Sequence, residues 1–275
     1  MRFRALIGAA MVVAVAAGLV GTATIASAAH SGQMAYTCTG GARPGPDPSA
    51  WTFVSIPSGT YSSLTVTGVC NVAPGAVINV AGNVNVAAGA VLDAQSASST
   101  ITVGHNVTAA SGALLGLGCK PNPLNHTTGH PCRVDPTGSS SITVNGNVTA
   151  WNADTVLLNG ITVNRNVILI GGGENVLVWP IKTNTIGGNL IMSGMRPNWL
   201  GVIRNNIGGN AILTNITITD PDPNDTNPTI FIASNTVGQN LICWGLGPNV
   251  AGGFGPEVNT VGHKTIGQCV NLPTF

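Results

Sequence analysis

One pattern constrains this chain more than any other: a repeat of about twenty residues, each centred on an asparagine usually followed by Val or Leu. The marker residues are Asn83, Asn106, Asn147, Asn166, Asn189, Asn210 and Asn240, with Lys264 at the eighth position. Consecutive markers are 23, 41, 19, 23, 21, 30 and 24 residues apart. A period of this size is typical of solenoids, in which short repeats stack along one axis.

The positions around each marker carry the same kind of side chain in every repeat. The residue three places before the marker is β-branched in all eight repeats: Val80, Val103, Val144, Val163, Ile186, Ile207, Val237 and Val261. The residues one and three places after each asparagine are apolar throughout. Apolar residues at every second position indicate a strand with one buried face. Gly, Asn or His just before the marker favours a tight turn.

Each repeat is therefore predicted to be a strand, a turn, a second strand and a variable loop, which cannot bury its apolar side chains alone. Stacking the repeats places each column on itself in the next coil and closes a continuous core. The sequence predicts an all-β fold: a parallel β-helix solenoid, expected to be right-handed, with about eight or more coils and an N-terminal cap. The marker asparagines are expected to form a hydrogen-bonded ladder along the axis.

The chain divides into three predicted segments. Residues 1–29 have two arginines, an apolar run and the sequence Ala26-Ser27-Ala28, which is the pattern of a secretory signal peptide. Residues 30–58, rich in proline, are predicted to cap the solenoid, which occupies residues 59–275. No second apolar run is long enough to span a bilayer, so no membrane span is expected after cleavage.

Two further features subdivide the predicted solenoid. The fifth residue before the marker is Ile in the first four repeats and Asn in the last four, so the coils are expected to change shape near residue 175. The two long spacings predict insertions at residues 116–140 and 219–229. Loops that leave a rigid scaffold are frequent sites of binding.

All six cysteines lie in the predicted exported part of the chain. An even number of cysteines in an oxidising compartment predicts disulfides. Proximity along the chain favours three pairs, although six cysteines allow 15 pairings: Cys38 with Cys70, Cys119 with Cys132, and Cys243 with Cys269.

The composition argues against a nucleic-acid partner. Only 7% of the residues are charged, compared with roughly 25% in ordinary domains. Without Arg2 and Arg4 the chain has 8 basic and 9 acidic residues, so it lacks the basic surface that phosphate contacts require. The solvent-facing positions must instead be occupied by Asn, Thr, Ser and Gly.

Several segments resemble a known group of proteins. They are Ile56 to Tyr61, Asn71 to Asp93, Asn235 to Cys243, Asn259 to Gly262 and Gly267 to Cys269. These motifs are similar to exported β-helical repeat proteins of actinobacteria and, more loosely, to the polymer-forming bactofilins. The resemblance covers nearly all of the mature chain. It implies a parallel β-helix in an exported protein and brings no known catalytic residue with it.

The enzymatic hypothesis comes from pectin-lyase-like polysaccharide lyases and hydrolases, which share the β-helix fold and place carboxylates around a sugar bond. Asp154, Glu174 and Arg196 fall at similar offsets in three successive coils and are candidates for such a site. The same three residues are also what an exposed salt-bridge ladder requires.

Two groups of residues have side chains of the kind that bind a metal ion, but neither group is predicted to form a metal site. Asp220, Asp222 and Asp225 suit calcium, but residue 225 is where an EF-hand loop needs Gly, and such acids also make a solvated turn. Cys119, His126, His130 and Cys132 match no standard zinc spacing, and a disulfide explains the two cysteines. No cofactor is expected.

Trp151 and Trp244 both lie four residues after a marker, on the outward side of a predicted strand, where an indole can stack on a sugar ring. Three function classes follow. The first is a secreted, non-catalytic structural or adhesive protein of the cell envelope or extracellular space, to which an uncharged, disulfide-bonded repeat is suited. The alternatives are a carbohydrate-binding protein, whose partner is cell-wall or extracellular polysaccharide, and a polysaccharide-degrading enzyme.

Overall fold

The computed structural model describes residues 33–45, 47–121, 130–173, 177–219, 227–252 and 258–272. It is an all-β structure with 51% strand and 3% helix, and three parallel sheets wind around one core. The predicted parallel β-helix is thus confirmed. The predicted signal peptide, residues 1–29, lies outside the described residues.

Each coil contributes one strand to each of three sheets, always in the order sheet 1, sheet 2, sheet 3. Sheet 1 consists of β1 (Tyr36–Cys38), β4 (Leu64–Val66), β7 (Val84–Val86), β10 (Val107–Ala109), β13 (Val148–Trp151), β16 (Val167–Ile170), β19 (Leu190–Ser193), β22 (Ala211–Thr217), β25 (Leu241–Gly247) and β28 (Thr265–Gly267). Sheet 2 consists of β2 (Val54–Ile56), β5 (Val69–Val72), β8 (Val91–Ala94), β11 (Leu114–Leu117), β14 (Thr155–Asn159), β17 (Trp179–Lys182), β20 (Leu200–Ile203), β23 (Thr229–Ala233) and β26 (Asn249–Ala251). Sheet 3 consists of β3 (Gly59–Tyr61), β6 (Ala76–Val80), β9 (Ser99–Val103), β12 (Ser141–Val144), β15 (Thr162–Val163), β18 (Thr185–Ile186), β21 (Asn206–Ile207), β24 (Thr236–Val237) and β27 (Thr260–Val261). Two short 3-10 helices span Pro48–Ala50 and Gln268–Asn271.

The apolar columns of the repeat face inward, as predicted. Val163 pairs with Val144 on one side and Ile186 on the other, and all three are buried. The same holds in sheet 1, where Val167 and Leu169 are buried between the coils above and below. Because parallel strands in register stack like on like, each coil completes the core of its neighbours.

The marker asparagines form the predicted ladder at the turn between sheets 3 and 1. The side-chain oxygen of Asn83 accepts hydrogen bonds from both the backbone N–H and the side-chain amide of Asn106, at 3.0 and 3.3 Å. The same pair of bonds recurs at each of the next five steps, as far as Asn240. This marker ladder satisfies turn N–H groups that would otherwise need water.

A second ladder occupies the corner between sheets 2 and 3 in the later coils. Asn184, Asn205 and Asn235 are each 1% exposed. The side-chain oxygens of Asn205 and Asn235 each accept hydrogen bonds from the backbone N–H and the side-chain amide of the asparagine one coil earlier. The side-chain oxygen of Asn184 accepts from the backbone N–H of Ile161. Their amides also donate to backbone carbonyls one coil back. Asn259 continues this corner ladder, which is therefore hydrogen-bonded in a dry interior.

The corner ladder changes the shape of the coils. The residue before each of its first three asparagines has a positive φ: Thr183 (56°), Arg204 (55°) and Ser234 (57°). Such a backbone cannot remain in a strand. The strands of sheet 3 have four or five residues in β6, β9 and β12 and only two in β15, β18, β21, β24 and β27. The shortening begins at β15, where Gly160 (φ 67°) precedes Ile161, and continues in the coils of the corner ladder.

The segment predicted as an N-terminal cap, residues 30–58, contributes a strand to each of two sheets. Tyr36–Cys38 pairs with β4 and Val54–Ile56 pairs with β5, so both are the first strands of their sheets. The predicted insertion at 116–140 begins later, after Leu117, and ends before Ser141. The predicted insertion at 219–229 corresponds to the connection between Thr217 and Thr229.

Three disulfides join the pairs that proximity along the chain favours: Cys38–Cys70, Cys119–Cys132 and Cys243–Cys269. The first lies at the beginning of the solenoid and the third at its last coil. Disulfides of this number indicate an oxidising location outside the cytoplasm. Among the described residues, no helix is long and apolar enough to cross a membrane.

Candidate functional site

The structure brings two of the three candidate catalytic residues to one groove. Asp154 and Arg196 line an open groove of about 510 Å³ where the chain passes from sheet 1 to sheet 2, together with the glycine run 171–173. The backbone of Arg196 bridges to Gly173, and Gly173 N–H donates to the carbonyl of Ala153. Glu174, the third candidate, lies outside the described residues.

Asp154 has a structural partner in this groove. Its carboxylate accepts an ion-paired hydrogen bond from Arg43 at 2.8 Å. The same guanidinium lies 4.9 Å from the centre of the Trp51 ring. Arg43 and Trp51 belong to the connection between β1 and β2, so Asp154 fixes this N-terminal loop against a coil far along the chain.

The N-terminal loop forms one wall of a second cleft, which the sequence did not predict. Trp51 belongs to a buried apolar cluster on the outer face of sheet 2, whose other members lie on four successive strands: Val69, Val91, Leu114 and Leu157. Beside it an open cleft of about 570 Å³ lies between this loop and the segment His130 to Arg133 of the first insertion. Phe53 and Leu177 extend its apolar lining.

Polar residues also line this sheet 2 cleft: Asp47, Ser49, Asp93, Gln95, Ser96, His130 and Arg133. The Asp93 carboxylate accepts from the backbone N–H groups of Gln95 and Ser96 and from the Ser96 hydroxyl, at 2.6 to 3.1 Å. Burial lowers the pKa of His130, and the nearby Lys182 ammonium lowers that pKa further, while Asp93 raises it. The side-chain oxygen of Gln95 is buried without a hydrogen-bond partner among the described residues. The cleft thus has an apolar floor, and the described hydrogen bonds of Asp93 are local ones to the turn that follows β8.

The structure describes part of the hypothetical zinc site and none of the three acids of the hypothetical calcium site. Cys119 and Cys132 are joined in a disulfide, so neither thiolate is available to zinc. The N–H and C=O groups of His130 pair with the backbone of Lys120 across this disulfide loop. His126 and the three acids Asp220, Asp222 and Asp225 lie outside the described residues. Within the described ranges, no three His, Cys, Asp or Glu side chains are grouped as metal ligands.

The two candidate tryptophans lie in one straight column on the outer face of sheet 1. Strand register links Trp151 to Ile170, Ser193, Thr214 and Trp244 in successive coils. Four rungs separate the two indoles, which corresponds to about 19 Å at the usual strand spacing. Trp151 is 55% exposed and Trp244 is 54% exposed. Stacking therefore aligns two indoles that are far apart in the sequence.

The neighbouring outward column of sheet 1 changes character along the axis. In the first coils it is polar: Thr65, Asn85, Thr108 and Thr149. From β16 onward it is a half-buried ladder of isoleucines: Ile168, Ile191, Ile212, Ile242 and Ile266. Core packing does not require these side chains, because the core lies on the opposite face of the same strands.

The sequence contains a local signal for the covered outer face of sheet 2. Strands β8, β11 and β14 are buried at every position, and their sequences VLDA, LLGL and TVLLN read as apolar on both faces. Such runs are typical of strands covered on both sides. No protein-family model, curated protein or solved structure matches the chain.

Proposed function

We propose that the protein is secreted and acts as a non-catalytic structural or adhesive β-helix of the cell envelope or extracellular space. The observation that supports this proposal most is that the recurring polar side chains hydrogen-bond to one another within the scaffold. The asparagines of the repeat bond to one another in the marker ladder and the corner ladder, so the residues that recur in every coil hold the scaffold together.

The remaining surface also favours a scaffold. The outward positions of sheet 3 carry Thr or Asn in successive coils, including Thr102, Thr143, Thr162, Thr185 and Asn206. Hydroxyls and amides of this kind are poor acids, bases and nucleophiles at neutral pH unless a partner activates them. Disulfides at both ends of the solenoid suit a protein that works outside the cell.

The experiment combines adhesion with a test for chemistry. The purified, disulfide-bonded mature protein is incubated with envelope fractions of the producing cell and with a panel of polysaccharides. We expect retention on the envelope without release of reducing ends or of the ultraviolet-absorbing unsaturated uronides that lyases produce. Product formation by the native protein that is lost in Asp154→Asn would instead support the enzymatic alternative.

A further inference from the structure

The exposed indoles of sheet 1 form the ends of a straight, flat surface. Trp244 lies over the backbone of the next coil: a Cβ added at Gly267 would come within 3.0 Å of the ring-fusion atoms Cδ2 and Cε2. One face of this indole therefore rests on glycine while 54% of the side chain remains exposed. Trp151 occupies the same column four rungs away, so both rings project from one sheet.

The surface between the two indoles is apolar and uncharged. Ile170 continues the tryptophan column, and the isoleucine ladder runs beside it from Ile168 to Ile242. Strands β13, β16, β19, β22 and β25 contain no ionisable side chain. These strands suit a neutral ligand, because a charged polymer lying on them would lose hydration without gaining a partner charge from them.

Two hydroxyls interrupt the apolar strip at its centre. Thr214 donates to the hydroxyl of Ser193 at 2.9 Å, and both side chains lie in the tryptophan column. Hydroxyls flanked by aromatic rings are the groups that recognise a sugar, whose C–H faces stack while its O–H groups hydrogen-bond. Hexoses joined by β-1,4 linkages make an extended ribbon, and this shape matches a straight column better than a coiled polymer does.

We propose that the outer face of sheet 1, from Trp151 to Trp244, binds a neutral polysaccharide of β-1,4-linked hexoses lying along the solenoid axis. This inference rests on the proposed adhesive function and names its ligand class. The alternative occupant of the same face is a second copy of the chain, packed through the isoleucine ladder, and the experiment separates the two.

The experiment uses the full mature protein with insoluble cellulose and chitin, and with cellohexaose and chitohexaose in titration calorimetry. We expect the native protein to bind at least one of these glycans and to ignore polygalacturonate, which is charged. Trp151→Ala and Trp244→Ala each lower the affinity about tenfold, as expected for one lost stacking contact, and the double variant abolishes binding. Val77→Ala is the matched control, because Val77 is an equally exposed apolar residue on the outer face of sheet 3.

Three outcomes would overturn the inference: no binding of either neutral glycan, unchanged binding by the double tryptophan variant, or a solution dimer that Ile212→Asn converts to monomer. In each case retention on envelope fractions still tests the proposed function separately. Retention that survives the double tryptophan variant leaves the adhesive function in place and removes only this surface. Thermal melting of every variant verifies that it remains folded.

Discussion

The early and late coils of the solenoid contribute to the same three sheets but differ in the residues that they place at two positions. At the corner between sheets 2 and 3, the early coils bury Ile78, Ile101 and Ile142, whereas the late coils bury the corner ladder of asparagines. On the outer face of sheet 1, the early coils present Thr and Asn, whereas the late coils present isoleucine.

This comparison distinguishes residues that stabilise the fold from residues that are available for binding. A corner accepts either an apolar side chain or a fully hydrogen-bonded amide, because both leave no buried group unpaired. The outward isoleucines are partly buried, and each is paired in register with the isoleucine of the next coil. The exchange at the corner is therefore structural, and the exchange on the outer face is the one that we assign to ligand binding.

The strongest perturbation is a charge in the column that both halves share. Val163→Asp places a carboxylate between Val144 and Ile186 in a dry core, and we expect a loss of at least about 4 kcal/mol or failure to fold. Thr162→Asp, one residue earlier and facing outward, should change the stability by no more than about 0.5 kcal/mol. Paired thermal melts measure both; equal effects would mean that the register of the repeat is wrong by one residue.

Removing the C-terminal disulfide should have a slightly smaller effect on stability, and it tests whether the two halves of the solenoid unfold together. Replacing Cys243 and Cys269 by Ala removes a link across 26 residues, for which chain entropy predicts a loss of about 3 kcal/mol. We expect this loss in urea unfolding, with protease sensitivity confined at first to the late coils. As a control, thiol titration of the unfolded, unreduced native protein should find none free.

The corner ladder can be compared directly with the marker ladder. Asn205→Ala leaves the Asn184 N–H and the Ile181 carbonyl buried without partners, and it should cost about 2 to 3 kcal/mol. Asn210→Ala removes the equivalent bonds to Asn240 in the half-exposed marker ladder, where water replaces them, and it should cost about 1 kcal/mol. Urea denaturation gives both values, and a larger loss for Asn210→Ala would contradict the assigned difference in burial.

The smallest expected effect on stability concerns the outer face of sheet 1. Ile212→Thr gives a late coil the residue type that the early coils carry at this position, and it should change the unfolding free energy by less than about 1 kcal/mol. Binding of cellulose or chitin should nevertheless weaken, because the apolar strip is interrupted. Thr65→Ala, in the same column but three coils before the one that carries Trp151, is the control and should alter neither property.

The repeat allowed much of the fold to be predicted because stacking makes the sequence redundant. Val163 could be assigned to the core since its counterparts in seven other coils are also β-branched. The marker ladder followed from the same alignment. The early strands β1 and β2 were missed because no marker asparagine accompanies them.

The surfaces were less predictable for a physical reason. The sheet 2 cleft depends on Trp51 meeting Leu114 and Leu157, and the anchoring ion pair joins Arg43 to Asp154 across more than a hundred residues. Such contacts are made once and have no repeated counterpart. The sequence alone groups Asp154 with Glu174 and Arg196, whereas the structure shows that Asp154 pairs with Arg43 of the N-terminal loop.

The marker ladder makes the length of the molecule depend on the number of its coils and not on the length of its loops. Each coil supplies a single asparagine to it, and the bond geometry is the same whether 19 or 41 residues separate two markers. Insertions within a coil therefore leave the spacing along the axis untouched. Duplication or loss of a whole coil changes the length by one step of about 4.8 Å while preserving both ends. Evolution can thus adjust the reach of this protein in counted increments, independently of the loops that it carries.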